Sequence, residues 1–249
     1  MGGRVPAGVN DAVAKPLSDA ARTWNEIKHE IGLFAAFVRH PRRTLPGDKQ
    51  WLSRFLLLWG LCLAVAVLQI PLEIGFEQFA PSIKYNLTTD TKFMLMAVFL
   101  APVAEELAFR AGLRSARYTL FAGPALLVLA RAGTIPLALA VAAAFSLIAL
   151  LDWIYRRRFA RPGLVMRRGR AFLRRYRLVV WAYAAAFAVI HIGNFDYSHQ
   201  AAFLMPLMLL PQLFCGLVFS YLRIRHGLRY SILLHAAYNA SLCSVLLLG

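Results

Sequence analysis

Acidic residues are scarce in this chain, which has 12 Asp and Glu against 28 Lys and Arg in 249 residues. Charged residues of both signs make up only 16% of the sequence, whereas 59% of the residues are hydrophobic. This composition is too apolar for a water-soluble domain of the same length. We therefore predict an all-α, polytopic bundle of transmembrane helices.

Cysteines are also few, and Cys62, Cys215 and Cys243 each lie within an apolar window. Such positions are typical of small core residues rather than of a disulfide framework or a thiolate site. The first ten residues, MGGRVPAGVN, lack the apolar core of a signal peptide. We expect the spans themselves to direct insertion into the membrane.

Apolar windows long enough to cross the hydrocarbon core recur from Trp51 onward. We predict about seven spans, at residues 52–74, 91–113, 116–132, 134–155, 177–195, 201–222 and 229–248. The third is the weakest, because Arg117 and Arg131 bracket only thirteen residues, so a short or re-entrant helix is an alternative. The chain thus divides into a polar leader, residues 1–50, and a transmembrane domain, residues 51–249.

The leader contains an apolar stripe at helical spacing, formed by Trp24, Ile27, Ile31, Phe34 and Val38. One interpretation is an amphipathic helix that lies on the membrane surface. The other is a helix packed against the membrane domain of the same chain. Neither interpretation assigns an activity to the leader.

Basic residues are concentrated in four regions, with nine in residues 1–54, three in 110–117, ten in 156–177 and three in 223–229. With seven spans these regions share one face, and positive charge favours the cytoplasmic side. We predict a multi-pass protein of the cell (inner) membrane, with its N-terminus cytoplasmic and its C-terminus external. The 156–177 loop is expected to contact anionic lipid headgroups. Nucleic acid is not an expected partner, because no recognition motif accompanies the charge.

Polar and ionisable side chains interrupt the predicted spans at a few positions only. The most conspicuous are Glu105, Glu106, Arg110, His191, His235 and Asn239. Ionisable groups at membrane depth are costly, so function is the default interpretation for them. Because they belong to three separate spans, only the interior of a bundle brings them together.

Helical spacing separates the two carboxylates. Glu106 and Arg110 are four residues apart and predict an ion pair, for which a purely structural role is the simpler interpretation. Glu105 is rotated by about 100° from Glu106 around the helix, which leaves it available as a base. We expect Glu105 and His191 to hold a water that attacks a peptide carbonyl.

Two further pairs repeat the four-residue spacing. His235 and Asn239 can both point at one substrate atom, and we expect them to donate hydrogen bonds to the developing oxyanion. Phe187 and His191 place an aromatic ring beside an imidazole.

The strings EELAFRAGL at 105–113, FAVIHIGN at 187–194 and SILLHAAYNA at 231–240 resemble three motifs of one family. They are similar to the EExxxR, FxxxH and HxxxN motifs of the CAAX protease and bacteriocin-processing family, which includes the type II CAAX prenyl endopeptidases. The resemblance covers about residues 90–245, with one departure at Ala111, where the family usually has glycine. It implies an intramembrane endopeptidase with the roles given above, in which Glu106 and Arg110 support Glu105.

The resemblance leaves the metal and the substrate open. The family is often labelled a metalloprotease, and Glu105, His191 and His235 would suit a divalent metal such as Zn²⁺. A metal-free glutamate mechanism uses the same residues, and the HExxH motif is missing. The expected partner is a peptide or protein substrate, and a lipidated CAAX protein is one candidate.

Two other classes of function remain as alternatives. A non-catalytic membrane adaptor or immunity factor would bind peptides without cutting them, although the complete motif set argues against it. A proton- or ion-coupled transporter would use the same Glu and His residues as a relay. No inverted repeat with paired broken helices is detectable in the sequence, which argues against a transporter.

Overall fold

The computed structural model describes residues 19–42, 51–79, 83–85, 90–120, 135–159 and 162–248. Within these ranges the secondary structure is helical except for β1 (Lys84–Tyr85) and β2 (Phe195–Asp196), which form a short antiparallel pair. The predicted all-α class of membrane helical bundle is confirmed.

Long and short helices follow one another along the chain. They are α1 (Asp19–Arg39), α2 (Trp51–Phe79), α3 (Thr91–Leu95), α4 (Ala101–Phe109), α5 (Ala116–Leu120), α6 (Ile135–Arg158), α7 (Pro162–Arg174), α8 (Tyr176–Ile190), α9 (Met205–Met208), α10 (Leu210–Arg225) and α11 (Leu228–Leu248). A π-helical turn joins α3 to α4, and 3-10 turns follow α4 and α8 and precede α9. These turns are Met96–Leu100, Ala111–Arg114, His191–Asn194 and His199–Leu204.

Four helical stretches in the described ranges are long and apolar enough to cross a bilayer. They are Trp51–Leu72, Tyr176–Asn194, Ala201–Arg225 and Leu228–Leu247, and they correspond to the first and the last three predicted spans. Helix α6 covers the span predicted at 134–155. Most of the span predicted at 116–132 lies outside the described residues, so the count of seven stays a prediction.

The span predicted at 91–113 is not one continuous α-helix. Pro102 lies in the first turn of α4 and has no N–H to continue the hydrogen bonding of the preceding turn. The π-helical turn just before it directs the N–H of Ala101 to the carbonyl of Met96. The carbonyl of Ala97, which an α-helix would have used, is thereby left for a side chain of another helix.

Helices α10 and α11 are joined by a tight turn at Gly227. Its φ of 114° lies in the region that side chains other than glycine rarely adopt. The N–H groups of His226 and Gly227 both bond to the carbonyl of Leu222, which closes α10. The turn lets α10 and α11 pack side by side, so that Phe219 reaches His235.

Helices α8 and α10 approach closely at Gly216. A Cβ atom at this position would lie 3.3 Å from Ala184 Cα and 3.3 Å from a ring carbon of Phe187. The glycine therefore allows the backbone of α10 to come near the ring that lines the site described below.

Helix α1 packs against the membrane domain. Phe34 is buried with its ring edge against Tyr221 of α10. The buried carboxylate of Glu30 accepts a hydrogen bond from the hydroxyl of Tyr221 at 2.7 Å and pairs with Arg54 Nε of α2 at 2.9 Å. Trp24, at the other end of the predicted stripe, is exposed. Ile31 of the stripe is also exposed, so the choice between the two arrangements that the sequence left open stays a prediction.

Candidate active site

Two adjacent carboxylates on α4 face different partners. The side chains of Glu106 and Arg110 are fully buried, and Glu106 Oε1 lies 3.0 Å from Arg110 Nη1. The structure therefore contains the ion pair that the four-residue spacing predicts. Glu105 is 24% exposed and lies beside two histidines instead.

Buried Arg110 also contacts Phe187, Gly216 and Arg223. Its guanidinium carbon lies 4.0 Å from the centroid of the Phe187 ring, in a cation–π contact. Its Nη2 donates to the carbonyl of Gly216 at 3.4 Å. Arg223 Nε donates to the backbone carbonyl of Arg110 at 3.1 Å. These contacts join α4 to α8 and α10 directly behind the two carboxylates.

His191 begins the 3-10 turn that follows α8. Its Nδ1 lies 2.7 Å from the carbonyl of Phe187, one helical turn earlier. Because a carbonyl only accepts hydrogen bonds, Nδ1 carries the hydrogen and Nε2 of the neutral ring has a lone pair. That Nε2 faces Glu105 Oε2 at 4.0 Å. The Phe187 ring packs beside the imidazole, with the ring centroids 4.6 Å apart.

His235 of α11 lies between the two carboxylates. Its Nδ1 is 3.1 Å from Glu106 Oε1, and its Nε2 is 3.8 Å from Glu105 Oε2. The buried Glu106, paired with Arg110, is an acceptor, so Nδ1 of His235 carries the hydrogen. Phe219 stacks on the imidazole with the centroids 4.7 Å apart and the rings inclined by 23°.

Glu105 Oε2 and the Nε2 atoms of His191 and His235 therefore converge at one point. In a ring that carries its single hydrogen on Nδ1, the Nε2 atom is an acceptor. Among the described residues no hydrogen-bond donor reaches the buried Glu105 Oε2. The separations of 3.8 and 4.0 Å are too long for direct hydrogen bonds. A water molecule donates two hydrogen bonds and can therefore bridge Glu105 Oε2 to one of the two Nε2 atoms across these separations.

Asn239 lies one turn beyond His235 on α11. Its Nδ2 donates to the carbonyl of Ala97 at 2.8 Å, which is the carbonyl left by the π-helical turn. An asparagine amide has two hydrogens, so one remains beyond the bond to Ala97. The interrupted span at Ala97 and the amide of Asn239 thus fix each other's position.

Ser231 belongs to this site, although sequence reasoning did not identify it. Its hydroxyl contacts Glu106 Oε2 and lies 3.0 Å from the carbonyl of Phe219. The available signal was its position four residues before His235, which places both on one face of α11. The bond from Asn239 to Ala97 had no signal in the sequence, because it depends on the π-helical turn.

The residues of the predicted metal alternative lie slightly farther apart than the ligands of a tetrahedral metal site. Two ligands at ~2.1 Å from a tetrahedral Zn²⁺ lie about 3.4 Å apart. The Nε2 atoms of His191 and His235 are 4.0 and 3.8 Å from Glu105 Oε2. Within the described ranges no group of three or more His, Cys, Asp or Glu is arranged to hold a metal ion.

Comparison with known proteins gives one match. Residues 88–241 match the model of the family described as Type II CAAX prenyl endopeptidase Rce1-like. The matched segment is more than half of the chain and includes Glu105, His191, His235 and Asn239. The searches of curated proteins and of solved structures gave no match.

Proposed function

Because the chain belongs to the Type II CAAX prenyl endopeptidase Rce1-like family, we propose that it hydrolyses a peptide bond near the membrane surface with a glutamate-activated water. The observation that supports this proposal best is the convergence of Glu105 Oε2 with the Nε2 atoms of His191 and His235. A carboxylate next to two imidazoles is suited to take a proton from a bound water.

In the proposed reaction, Glu105 is the general base. A water held between Glu105 and His191 gives a proton to the carboxylate, and its oxygen attacks the carbonyl carbon of the peptide bond. The tetrahedral intermediate then breaks its C–N bond, and Glu105 returns the proton to the departing nitrogen. Glu105 is partly exposed, so a substrate segment can reach it.

His235 and Asn239 are the proposed oxyanion donors. His235 carries hydrogen on Nδ1, and it can donate from Nε2 only as an imidazolium, which has hydrogen on both nitrogens. The carboxylate of Glu106, at 3.1 Å from Nδ1, would stabilise the resulting imidazolium. Asn239 can donate the amide hydrogen that the Ala97 carbonyl does not use.

A metal-assisted reaction on the same residues is the alternative. A divalent metal such as Zn²⁺ held by Glu105, His191 and His235 would polarise the carbonyl and activate water. The ligand atoms would have to move closer together by about 0.5 Å to reach the separations of a tetrahedral site. The wider spacing supports the metal-free version of the proposal.

The description of the matched family names a prenylated CAAX sequence, and we propose a C-terminal peptide with a prenylated cysteine as the substrate. The test uses an internally quenched CAAX peptide with and without a farnesyl group, incubated with the purified wild-type protein and with Glu105→Gln. We expect cleavage of the farnesylated peptide by the wild type and at least about 100-fold slower cleavage by the variant.

The other outcomes of this test separate the alternatives. Equal cleavage of both peptides would refute recognition of the lipid but keep the endopeptidase. Binding of the farnesylated peptide without cleavage would refute the endopeptidase and favour the non-catalytic adaptor. Neither binding nor cleavage, with proton or ion transport by vesicles that contain the protein, would favour the transporter.

Anionic lipid headgroups are the proposed partners of the 156–177 region. Asp152 of α6 pairs with Arg168 of α7 at 3.0 Å, which ties the two helices together. Arg167, Arg170 and Arg174 line a shallow depression beside Leu173. A second depression continues across the start of α8, lined by Arg174, Arg175, Arg177, Leu178 and Trp181. Clustered arginines with an aromatic ring beside them suit headgroups at the membrane interface.

A further inference from the structure

We propose that Ser231 is a positioning residue for His235, and that it acts by linking the two groups that hold the imidazole. One of these groups is the carboxylate of Glu106, and the other is Phe219. The expected effect on turnover rests on the proposed function, whereas the expected effect on the state of His235 does not.

The contacts of Ser231 connect three helices. Its side chain is fully buried on α11, and its hydroxyl contacts Glu106 Oε2 of α4 and the carbonyl of Phe219 of α10. Glu106 holds the Nδ1 edge of His235 at 3.1 Å, and the ring of Phe219 stacks on the face of His235. Ser231 thus touches the group at the edge and the residue at the face of the same imidazole.

The carboxylate of Glu106 depends on Ser231 for its orientation. Oε1 meets both Arg110 Nη1 at 3.0 Å and His235 Nδ1 at 3.1 Å. Oε2 has the hydroxyl of Ser231 as its hydrogen-bond partner. Without that hydroxyl, a buried carboxylate oxygen would lack a donor, which is costly. The carboxylate would then relieve that cost by rotating toward Arg110. The same rotation would weaken the hydrogen bond between Glu106 Oε1 and His235 Nδ1, which keeps the hydrogen on Nδ1.

A merely structural serine would look different. Ser241, ten residues beyond Ser231 on the same helix, bonds at 2.8 Å to the carbonyl of Ala237, four residues earlier in its own helix. Such a bond is local to one helix. The hydroxyl of Ser231 instead contacts acceptors on residues 125 and 12 positions away in sequence, and its single hydrogen is shared between these two contacts. Ser241 therefore provides a matched control.

The main experiment compares Ser231→Thr with Ser231→Val. These two side chains have nearly the same shape and differ in the hydroxyl, so crowding by the branched Cβ affects both equally. We measure kcat and KM on the quenched farnesylated peptide. We expect kcat of Ser231→Val to be at least about tenfold below that of Ser231→Thr, with KM values within about twofold. The control Ser241→Val should stay within about twofold of the wild type in both parameters.

A second measurement reads the imidazole without catalysis. Nitrogen NMR of protein labelled with ¹⁵N-histidine distinguishes a ring protonated on Nδ1 from one protonated on Nε2, and the loss of a signal in His235→Gln assigns it. We expect the Nδ1–H form of His235 in the wild type and in Ser231→Thr, and a mixture or the other tautomer in Ser231→Val.

The two measurements together decide the proposal. If Ser231→Val keeps both its kcat and the Nδ1–H form, the proposal is overturned. If kcat falls while the tautomer stays unchanged, Ser231 has a different role and the proposal is likewise overturned. If the wild type cleaves no peptide but the tautomer changes as expected, the proposed function fails and the positioning role stands. Should the branched variants not fold, Ser231→Ala and Ser231→Cys replace them in the same comparison.

Discussion

Replacing Glu106 by glutamine should destabilise the protein, because it leaves the charge of Arg110 without its partner. Both side chains are fully buried, and their charged atoms are 3.0 Å apart. Removing one partner of a buried ion pair costs about 3–5 kcal/mol. Arg110 keeps the Phe187 ring and the Gly216 carbonyl, so we expect the lower end, about 3 kcal/mol. For a chain of this length Tm should fall by roughly 6–12 °C.

Replacing Glu105 by glutamine should instead leave the stability nearly unchanged and lower the activity. Its side chain is partly exposed and lies beside two histidines, and among the described residues it forms no ion pair with an arginine. Loss of its charge should therefore change Tm by no more than about 3 °C. Glutamine cannot take a proton from water, so kcat should fall at least about 100-fold.

The assay measures thermal unfolding and cleavage of the quenched peptide for both variants in the same detergent. A third variant, Glu106→Gln combined with Arg110→Met, removes both charges and should recover part of the lost Tm. Full cleavage by Glu105→Gln would refute the role given to its carboxylate. A stable but inactive Glu106→Gln beside an unstable Glu105→Gln would require the two roles to be exchanged.

Three further predictions concern orientation, metal and lipid. A reporter fused after residue 165 should read cytoplasmic and one fused after Gly249 external, and reversed readings would contradict the seven-span topology. Exhaustive chelation should leave cleavage intact, whereas loss with recovery on added Zn²⁺ would favour the metal alternative. Phosphatidylglycerol added to the detergent-solubilised protein should raise Tm more for the wild type than for a variant with glutamine at Arg167, Arg170 and Arg174, while phosphatidylcholine should not distinguish them. Equal shifts with phosphatidylglycerol would disprove the headgroup site.

Contacts within one helical turn could be predicted from the sequence. Glu106 and Arg110 form a pair, and Phe187 packs beside His191, because residues four apart in a helix are neighbours whatever surrounds them. Adjacent residues of a helix point in directions about 100° apart. This rotation predicts different partners for Glu105 and Glu106, and in the structure their partners do differ. The cost of ionisable groups in a bilayer then indicated that the motif residues of different spans would meet.

Contacts between helices could not be predicted in the same way. The bonds from Ser231 to Glu106 and from Asn239 to Ala97 depend on how far each helix is shifted along its neighbour. The π-helical turn before Pro102 is a second reason. It decides which carbonyl of the predicted 91–113 span is free to accept a hydrogen bond from another helix. For α1 the apolar stripe was visible, but a stripe alone does not say whether lipid or protein covers it.

The contact between Glu30 and Tyr221 has a consequence for how the protein is made. The two residues are 191 positions apart, and the ribosome reaches Glu30 first. At about 5–20 residues per second, synthesis of the intervening chain takes roughly 10–40 s. During that interval α1 can meet Arg54 but not its aromatic partners on α10. Helix α1 therefore completes its docking late in biosynthesis, after α10 has been synthesised.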